Sequence, residues 1–540
     1  MITRDLASAN GMDGVVGVTG GGSGVRVEGW GSFEPEIRTT AGVVRGRWEN
    51  AVAIFRGIPF AESPFGARRF AAPVAVQRWD GVRDALEFGP PVPQASHRGS
   101  VMSSVSGSTD DDSADCLTLN VWSPELGTVR LPVMVWIHGG RYFEGAASNP
   151  HQDGATLAAC GVVMVSMNYR VGVEGFAHIA GAPDNRGILD QIAALRWVQD
   201  NIAAFGGDPG NVTVFGQSAG AGSVAALLAM PMAAGLFRRA ISQSLPGTYF
   251  SPRLAGAISA TIAAELGVRA TVDELAGIPP RALIEATDAV IRKMPEFVES
   301  WGPTALTPTP FSPVVDGVVL PASPWHALAN GAARGIDLLI GHTRDEYSLF
   351  NAWRGTEMTD EHATAALERL APVSDSSGGY RAAYPEAAPE QLYELVNSDW
   401  LLRMPSLHLA DAQYAGHGPV WLYELCWSFR RDQGASHSLD MLLVFGTLSA
   451  DEVRGHPLAY PNAANEVLEV SYQMRSDWVR FATTGNPGWA SYDPGRRSTR
   501  VYSAEPTTQP YPEERSRLIW HTHRFDSLDP CQSVGAGGGR

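Results

Sequence analysis

Two short glycine-bounded segments carry residue types suited to acyl chemistry. Gly216-Gln217-Ser218-Ala219-Gly220 fits G-x-S-x-G, directly after the apolar run Val212–Phe215 and before an Ala-rich stretch reaching Met230. A turn this tight strains the serine backbone and demands small neighbours. It also lifts the hydroxyl above the strand ends, at the start of a helix whose N–H groups favour an oxyanion. Upstream, Val133–Ile137 runs into His138-Gly139-Gly140, a loop able to turn backbone N–H groups towards developing negative charge. Gly139, Gly140 and Ala219 are the expected oxyanion donors, and each donor in such a hole is worth about 3 kcal/mol. A nucleophilic serine further needs a base and an orienting acid. Residue type alone does not select them among thirteen histidines and 57 acidic residues.

The elements that must position these groups read as α/β. Val133–Ile137 and Val162–Asn168 are β-branched apolar runs of the kind buried strands show. Asp190–Phe205 carries Ile192, Leu195, Trp197, Val198 and Ile202 at near-helical spacing and stops at Gly206–Gly207. Strand, sharp turn and helix in succession imply a mostly parallel central sheet covered by helices. Residues 250–330 and 350–435 lean helical and aromatic and are expected as insertions over one end of that sheet. The Gly-rich residues 1–35 and the tail 531–540 read as flexible, and Gly20–Gly24 lacks the strand and helix that a nucleotide loop requires.

Composition narrows the function classes. The 540 residues are 44% hydrophobic and 18% charged, ample for a core, and no stretch of about 18 apolar residues could span a membrane. A net charge of −16 argues against nucleic acid as a partner. No secretory signal is evident in MITRDLASAN. Cys116, Cys160, Cys426 and Cys531 are too sparse for a disulfide framework or a zinc site, and are expected as reduced thiols of a cytoplasmic protein. The acidic Ser108–Asp115 is expected as a solvated loop rather than a metal site.

Several blocks in order make the chain resemble the type-B carboxylesterases, the α/β-hydrolase family that includes cholinesterases and bacterial para-nitrobenzyl esterases. They are Phe55–Glu62 (FRGIPFAE), Asp115–Trp122 (DCLTLNVW), the HGG loop, Asn168–Gly172 (NYRVG), Asp184–Gln191 (DNRGILDQ) and Phe205–Pro209 (FGGDP) leading into the serine turn. The resemblance spans about 36–530 and implies one α/β-hydrolase domain. It also implies the chain order Ser218, then the acid Glu346 in Ile340–Glu346, then His437, which is expected to precede a late strand at Leu439–Gly446. Asp345 is the weaker acid candidate. Ser223 is implied to support the acid, and Arg170 with Asp190 to form a structural ion pair. His408, His417 and His456 are expected at the surface.

The implied activity is hydrolysis of small or medium organic esters through an acyl-serine, with no cofactor or metal, no membrane, and a monomer or homodimer. Acyl transfer or lactone chemistry on the same triad is the alternative, and a non-catalytic binding homologue the least favoured. The rate is expected to rise as His437 loses its proton. Departures from the family pattern are Arg141 for a small residue, Val92 for a cysteine that pairs in relatives, Ala114 for a glutamate expected to pair with Arg69, and Tyr347 and Leu245 for glycines. Arg141, Phe250 and Phe350 are the expected substrate-binding residues, with Trp301, Trp353 and Trp400 as further pocket candidates. Arg141 is expected to restrict bulky alcohol groups or to recognise an acidic substrate.

Overall fold

The computed structural model describes residues 34–95, 115–307, 309–355, 357–372 and 378–531. The leader to residue 33, most of the acidic segment 108–115 with Ala114, and the tail from 532 lie outside the described residues. In chain order the strands are β1 (Glu36–Arg38), β2 (Val43–Arg45), β3 (Arg47–Glu49), β4 (Val52–Pro59), β5 (Val82–Asp84), β6 (Thr118–Ser123) and β7 (Gly127–Ile137). There follow β8 (Val163–Met167), β9 (Phe205–Gln217), β10 (Arg239–Gln243), β11 (Asp337–Thr343), β12 (Val420–Leu425), β13 (Ser498–Tyr502) and β14 (Thr507–Pro510).

Eleven strands form one sheet in the order β14-β13-β12-β11-β10-β9-β7-β8-β6-β4-β3, beside a small sheet β1-β2-β5. Every pairing from β13 through to β8 is parallel, and antiparallel pairs close both edges. Parallel strands need both faces covered, which is why their sequences read as unbroken apolar runs. Alternate residues of β7 show this. Val133, Val135 and Ile137 join one core, and Met134 and Trp136 join the other. The helices Arg186–Asn201 and Ala219–Ala229 cover the first face, and Leu439–Phe445 and Ala463–Thr484 the second.

The helix-leaning stretches contain Pro252–Ala264, Pro280–Lys293, Asp360–Leu370, Pro389–Ser398 and Met404–Ala415. The second stretch also holds β12, a strand inside the sheet, so 350–435 is not wholly an insertion. The expected late strand at Leu439–Gly446 is instead a helix, Leu439–Phe445, ended by left-handed Gly446 (φ 69°). A short apolar run does not distinguish a strand from a buried helix by periodicity, and here the glycine stop and the packing against Ala463–Thr484 decide. His408, expected at the surface, lies against the Phe525 ring, and burial lowers its pKa to about 3. The four cysteines are unpaired and Val92 is buried in the core. No helix among the described residues is long and apolar enough to cross a membrane.

Candidate active site

Three parallel strands deliver the site at their carboxyl ends, where open α/β sheets place their ligands. β9 ends in Gln217, and Ser218 follows with φ 59° and ψ −125°, then the helix from Ala219. Such a conformation is costly for a residue with a Cβ, and it persists only because the surroundings fix it. The Ser218 N–H donates to Gln243 O on β10 at 2.9 Å, and its carbonyl accepts from the Gly222 N–H at 2.9 Å. Gly220 is required by close approach: a Cβ there would lie 2.1 Å from the Ile137 carbonyl oxygen of β7.

The loop after β7 reaches the serine directly. A Cβ on Gly139 would come 2.7 Å from Gln217 O and 3.2 Å from Ser218 Cβ. Beyond it Gly140, Arg141 and Tyr142 all have positive φ (115°, 55° and 63°). The turn is held by the Phe143 and Glu144 N–H groups, both donating to Gly140 O, by the Gly172 N–H donating to Tyr142 O, and by Thr309 Oγ1 donating to Arg141 O. Among the described residues no acceptor meets the N–H groups of Gly140, Arg141 or Ala219. Ala219 follows the serine in the chain, and Gly140 and Arg141 follow Gly139, the residue that packs against Ser218.

Glu346 and His437 come together across 91 residues of chain. Glu346 Oε1 accepts the Thr343 N–H at the end of β11 (2.9 Å), and Oε2 lies 2.5 Å from His437 Nδ1. Burial opposes ionisation of Glu346, but the facing imidazole and its hydrogen bond outweigh it and hold the pKa below the ordinary glutamate value. Asp345 turns away. It pairs with Arg344 at 3.0 Å, and its carboxylate accepts the Ala435 N–H at 2.7 Å while its own N–H donates to Ala435 O at 2.9 Å. Asp345 thus clamps the loop that carries His437. With Nδ1–H donated to Glu346, Nε2 keeps its lone pair, and its partner is the Gln217 side-chain amide, 3.1 Å away, on the residue before Ser218.

Phe350 and Arg141 also reach this centre. Phe350 packs on His437 with ring centroids 5.3 Å apart, and Trp353 meets Phe350 edge-on at 5.4 Å. The Arg141 guanidinium lies over Phe143 (4.4 Å) and Trp353 (5.6 Å) and is paired with Glu144 Oε1 at 2.6 Å. Phe250 is buried where its segment bridges Val314 and Leu528, and among the described residues Phe350 is the ring packed, tilted by 39°, against the imidazole. Trp301 stacks on Phe297. Tyr347 packs one ring further out, on Phe350, and Leu245 is fully buried with its N–H on Ser406.

The Ser223 hydroxyl accepts from Gln191 Nε2 at 3.0 Å, and the donor that meets Glu346 Oε1 is the Thr343 N–H. Arg170 and Asp190 form the expected buried fork (2.7 and 2.8 Å), and Arg69 pairs with Glu174 at 2.5 Å. The sequence pattern does not reveal Gln217 or the clamping part of Asp345, although each lies beside a motif position.

A nucleophile elbow, a glycine loop with unclaimed N–H groups and a Glu–His pair on a parallel sheet define a serine hydrolase of the α/β-hydrolase class. The carboxylesterase family matches residues 34–513. The para-nitrobenzyl esterase of Bacillus subtilis (strain 168) is 38% identical over 497 residues, covering 89% of this chain and 97% of that protein. Carboxylesterase 3 of Homo sapiens is 34% identical over 500 residues, 85% of each chain. A solved thermophilic PNB esterase superposes with a TM-score of 0.79 at 37% identity, covering 90% of this chain and 100% of that one. The chain belongs to the carboxylesterase family and is a serine hydrolase of carboxylic esters.

Proposed function

We propose that Ser218 is the nucleophile, His437 the general base and Glu346 the orienting acid in the hydrolysis of small or medium organic esters. The 2.5 Å contact from Glu346 Oε2 to His437 Nδ1 carries this reading, because it fixes the tautomer that leaves Nε2 basic beside the serine turn. Ser218 Oγ attacks the ester carbonyl as its proton passes to Nε2. The carbonyl oxygen, now negative, receives the N–H groups of Gly140 and Ala219, with Gly139 setting the loop against Ser218 and Arg141 adding its own N–H. His437 returns the proton to the leaving alcohol, and water repeats the sequence on the acyl-serine, releasing the acid. Glu346 stays ionised throughout. Protein groups and water suffice for these steps.

The domain is read as 36–530, acting as a cytoplasmic monomer or homodimer without nucleic acid; the charge of −16 and the unpaired thiols support this. Relatives named as para-nitrobenzyl esterase and carboxylesterase support a small-ester substrate. With para-nitrobenzyl and ethyl esters of short acids and added butanol, the expected product is free acid. A predominantly butyl ester product would instead make the protein an acyltransferase.

Arg141, Phe350 and Phe250 are the proposed substrate-binding side chains. Glu144 already neutralises the Arg141 guanidinium, which favours a steric part for Arg141 over recognition of an anion. Arg141→Gly should raise kcat/KM for esters of bulky alcohols about tenfold relative to ethyl esters, through removal of bulk beside the oxyanion loop. A selective loss on anionic esters, with bulky ones unimproved, would assign anion recognition instead.

A further inference from the structure

Gln217 is the last residue of β9, immediately before Ser218, and is fully buried. Its amide nitrogen lies 3.1 Å from His437 Nε2 and 3.5 Å from Nδ1. Because Nδ1–H is committed to Glu346, Nε2 offers a lone pair, so the group facing it must be a donor. The amide N–H meets that requirement. At the other end of the same amide, Gln217 Oε1 is buried without a hydrogen-bond partner. A Cβ on Gly139 would stand 3.3 Å from that oxygen, so the amide is held between the oxyanion loop and the imidazole. A buried acceptor left unpaired is costly unless another state of the site uses it.

We propose that Gln217 is a positioning residue that serves both protonation states of His437, donating its N–H to Nε2 at rest and turning over to accept from the new Nε2–H once Ser218 has given up its proton. The inference rests on His437 being the base. No covalent bond changes at Gln217: the proton moves from Ser218 Oγ to Nε2, the amide rotates about its last torsion, and the rotation reverses when Nε2–H protonates the leaving alcohol. A donor facing the lone pair competes with protonation, and an acceptor facing the N–H favours it. The amide alternates between the two, whereas a carboxylate offers only the second and a thioether neither. Among the described residues the charged groups that interact with His437 are Glu346 from the acid loop and Asp440 from the helix Leu439–Phe445. Asp440 Oδ2 is itself taken by Gln243 Nε2 (3.0 Å) and Tyr423 OH (2.7 Å).

The test is the pH dependence of kcat and kcat/KM for wild type, Gln217→Glu and Gln217→Met, each normalised to active serine by fluorophosphonate titration. A fixed negative charge at 217 should move the acid limb of Gln217→Glu upward by one pH unit or more. Gln217→Met should lose about tenfold in kcat with KM unchanged. Acid limbs that coincide in all three proteins, with kcat per active serine equal, would overturn the proposal and leave Gln217 a packing residue. Should Gln217→Glu fail to fold, the kcat of Gln217→Met decides alone. His437→Ala separates the two readings. If it keeps wild-type activity, the assignment of the base fails. If it is inactive while the Gln217 variants match wild type, only the present inference fails.

Discussion

Ser218→Ala is expected to lower kcat by about a million-fold, as removal of a triad serine does elsewhere. The loss should fall on kcat with KM nearly unchanged, because the hydroxyl acts on the reacting carbonyl and the rest of the substrate still binds. The strained backbone at 218 (φ 59°) penalises alanine about as it does serine, and the backbone bonds to Gln243 and Gly222 are kept, so the variant should fold. Two measurements check this: alcohol release from a para-nitrobenzyl ester, and intact and peptide mass after fluorophosphonate treatment. Wild type should carry one adduct on Ser218, and the variant none. An adduct on another residue, or activity within tenfold of wild type, would remove Ser218 from the mechanism. The residual rate of the variant should still exceed that in water, since the N–H groups of Gly140, Arg141 and Ala219 remain in place.

How much of this was legible in the sequence differs from group to group, for physical reasons. The serine turn could be read locally because its strain demands a specific pattern of small residues between a strand and a helix. The structure shows the demand as contacts at Gly220 and Gly139 that no Cβ could fit. The parallel sheet was legible for a similar reason, since strands covered on both faces leave continuous apolar runs. Glu346 and His437 were not local. A carboxylate pair after a strand and one histidine among thirteen become an acid and a base only when β11 and the loop before Leu439 are brought together, and only the family resemblance supplied that pairing. The choice between Asp345 and Glu346 turns on which side chain folds back to the Thr343 N–H and which reaches across to Ala435.

The misses have causes of the same kind. Leu439–Phe445 reads equally well as strand or helix until Ala463–Thr484 packs against it. β12 reads as part of an insertion because the helices before it dominate that stretch. The resemblance puts Ser223 beside the acid, yet its hydroxyl accepts from Gln191, and Glu346 is held instead by the Thr343 N–H three residues before it. Gln217 occupies an x position of the G-x-S-x-G pattern, which accepts any residue type. Its contact with His437, 220 residues later, has no sequence signature.

Glu346→Gln is expected to cost about ten-thousand-fold in kcat, the loss seen when a triad acid becomes its amide. The amide is nearly the same size and can keep the Thr343 N–H on its oxygen. Its nitrogen then faces His437 Nδ1, which must become the acceptor, and the proton moves to Nε2. The imidazole is left in the tautomer that cannot take the Ser218 proton, and no carboxylate remains to stabilise the imidazolium. Asp345→Asn should differ sharply, staying within about tenfold, because that carboxylate clamps Ala435 and touches no reacting group. Stability gives a second readout with a definite sign. The folded pKa of Glu346 lies below its ordinary value, so ionised Glu346 contributes stability that is full above the ordinary glutamate pKa and is lost as pH falls through the depressed folded value. The stability gap between wild type and Glu346→Gln, followed by urea unfolding, should therefore narrow over that acid window while the gap in kcat near neutrality persists. Equal kcat in the two proteins, or a larger loss in Asp345→Asn, would move the acid to the neighbouring residue.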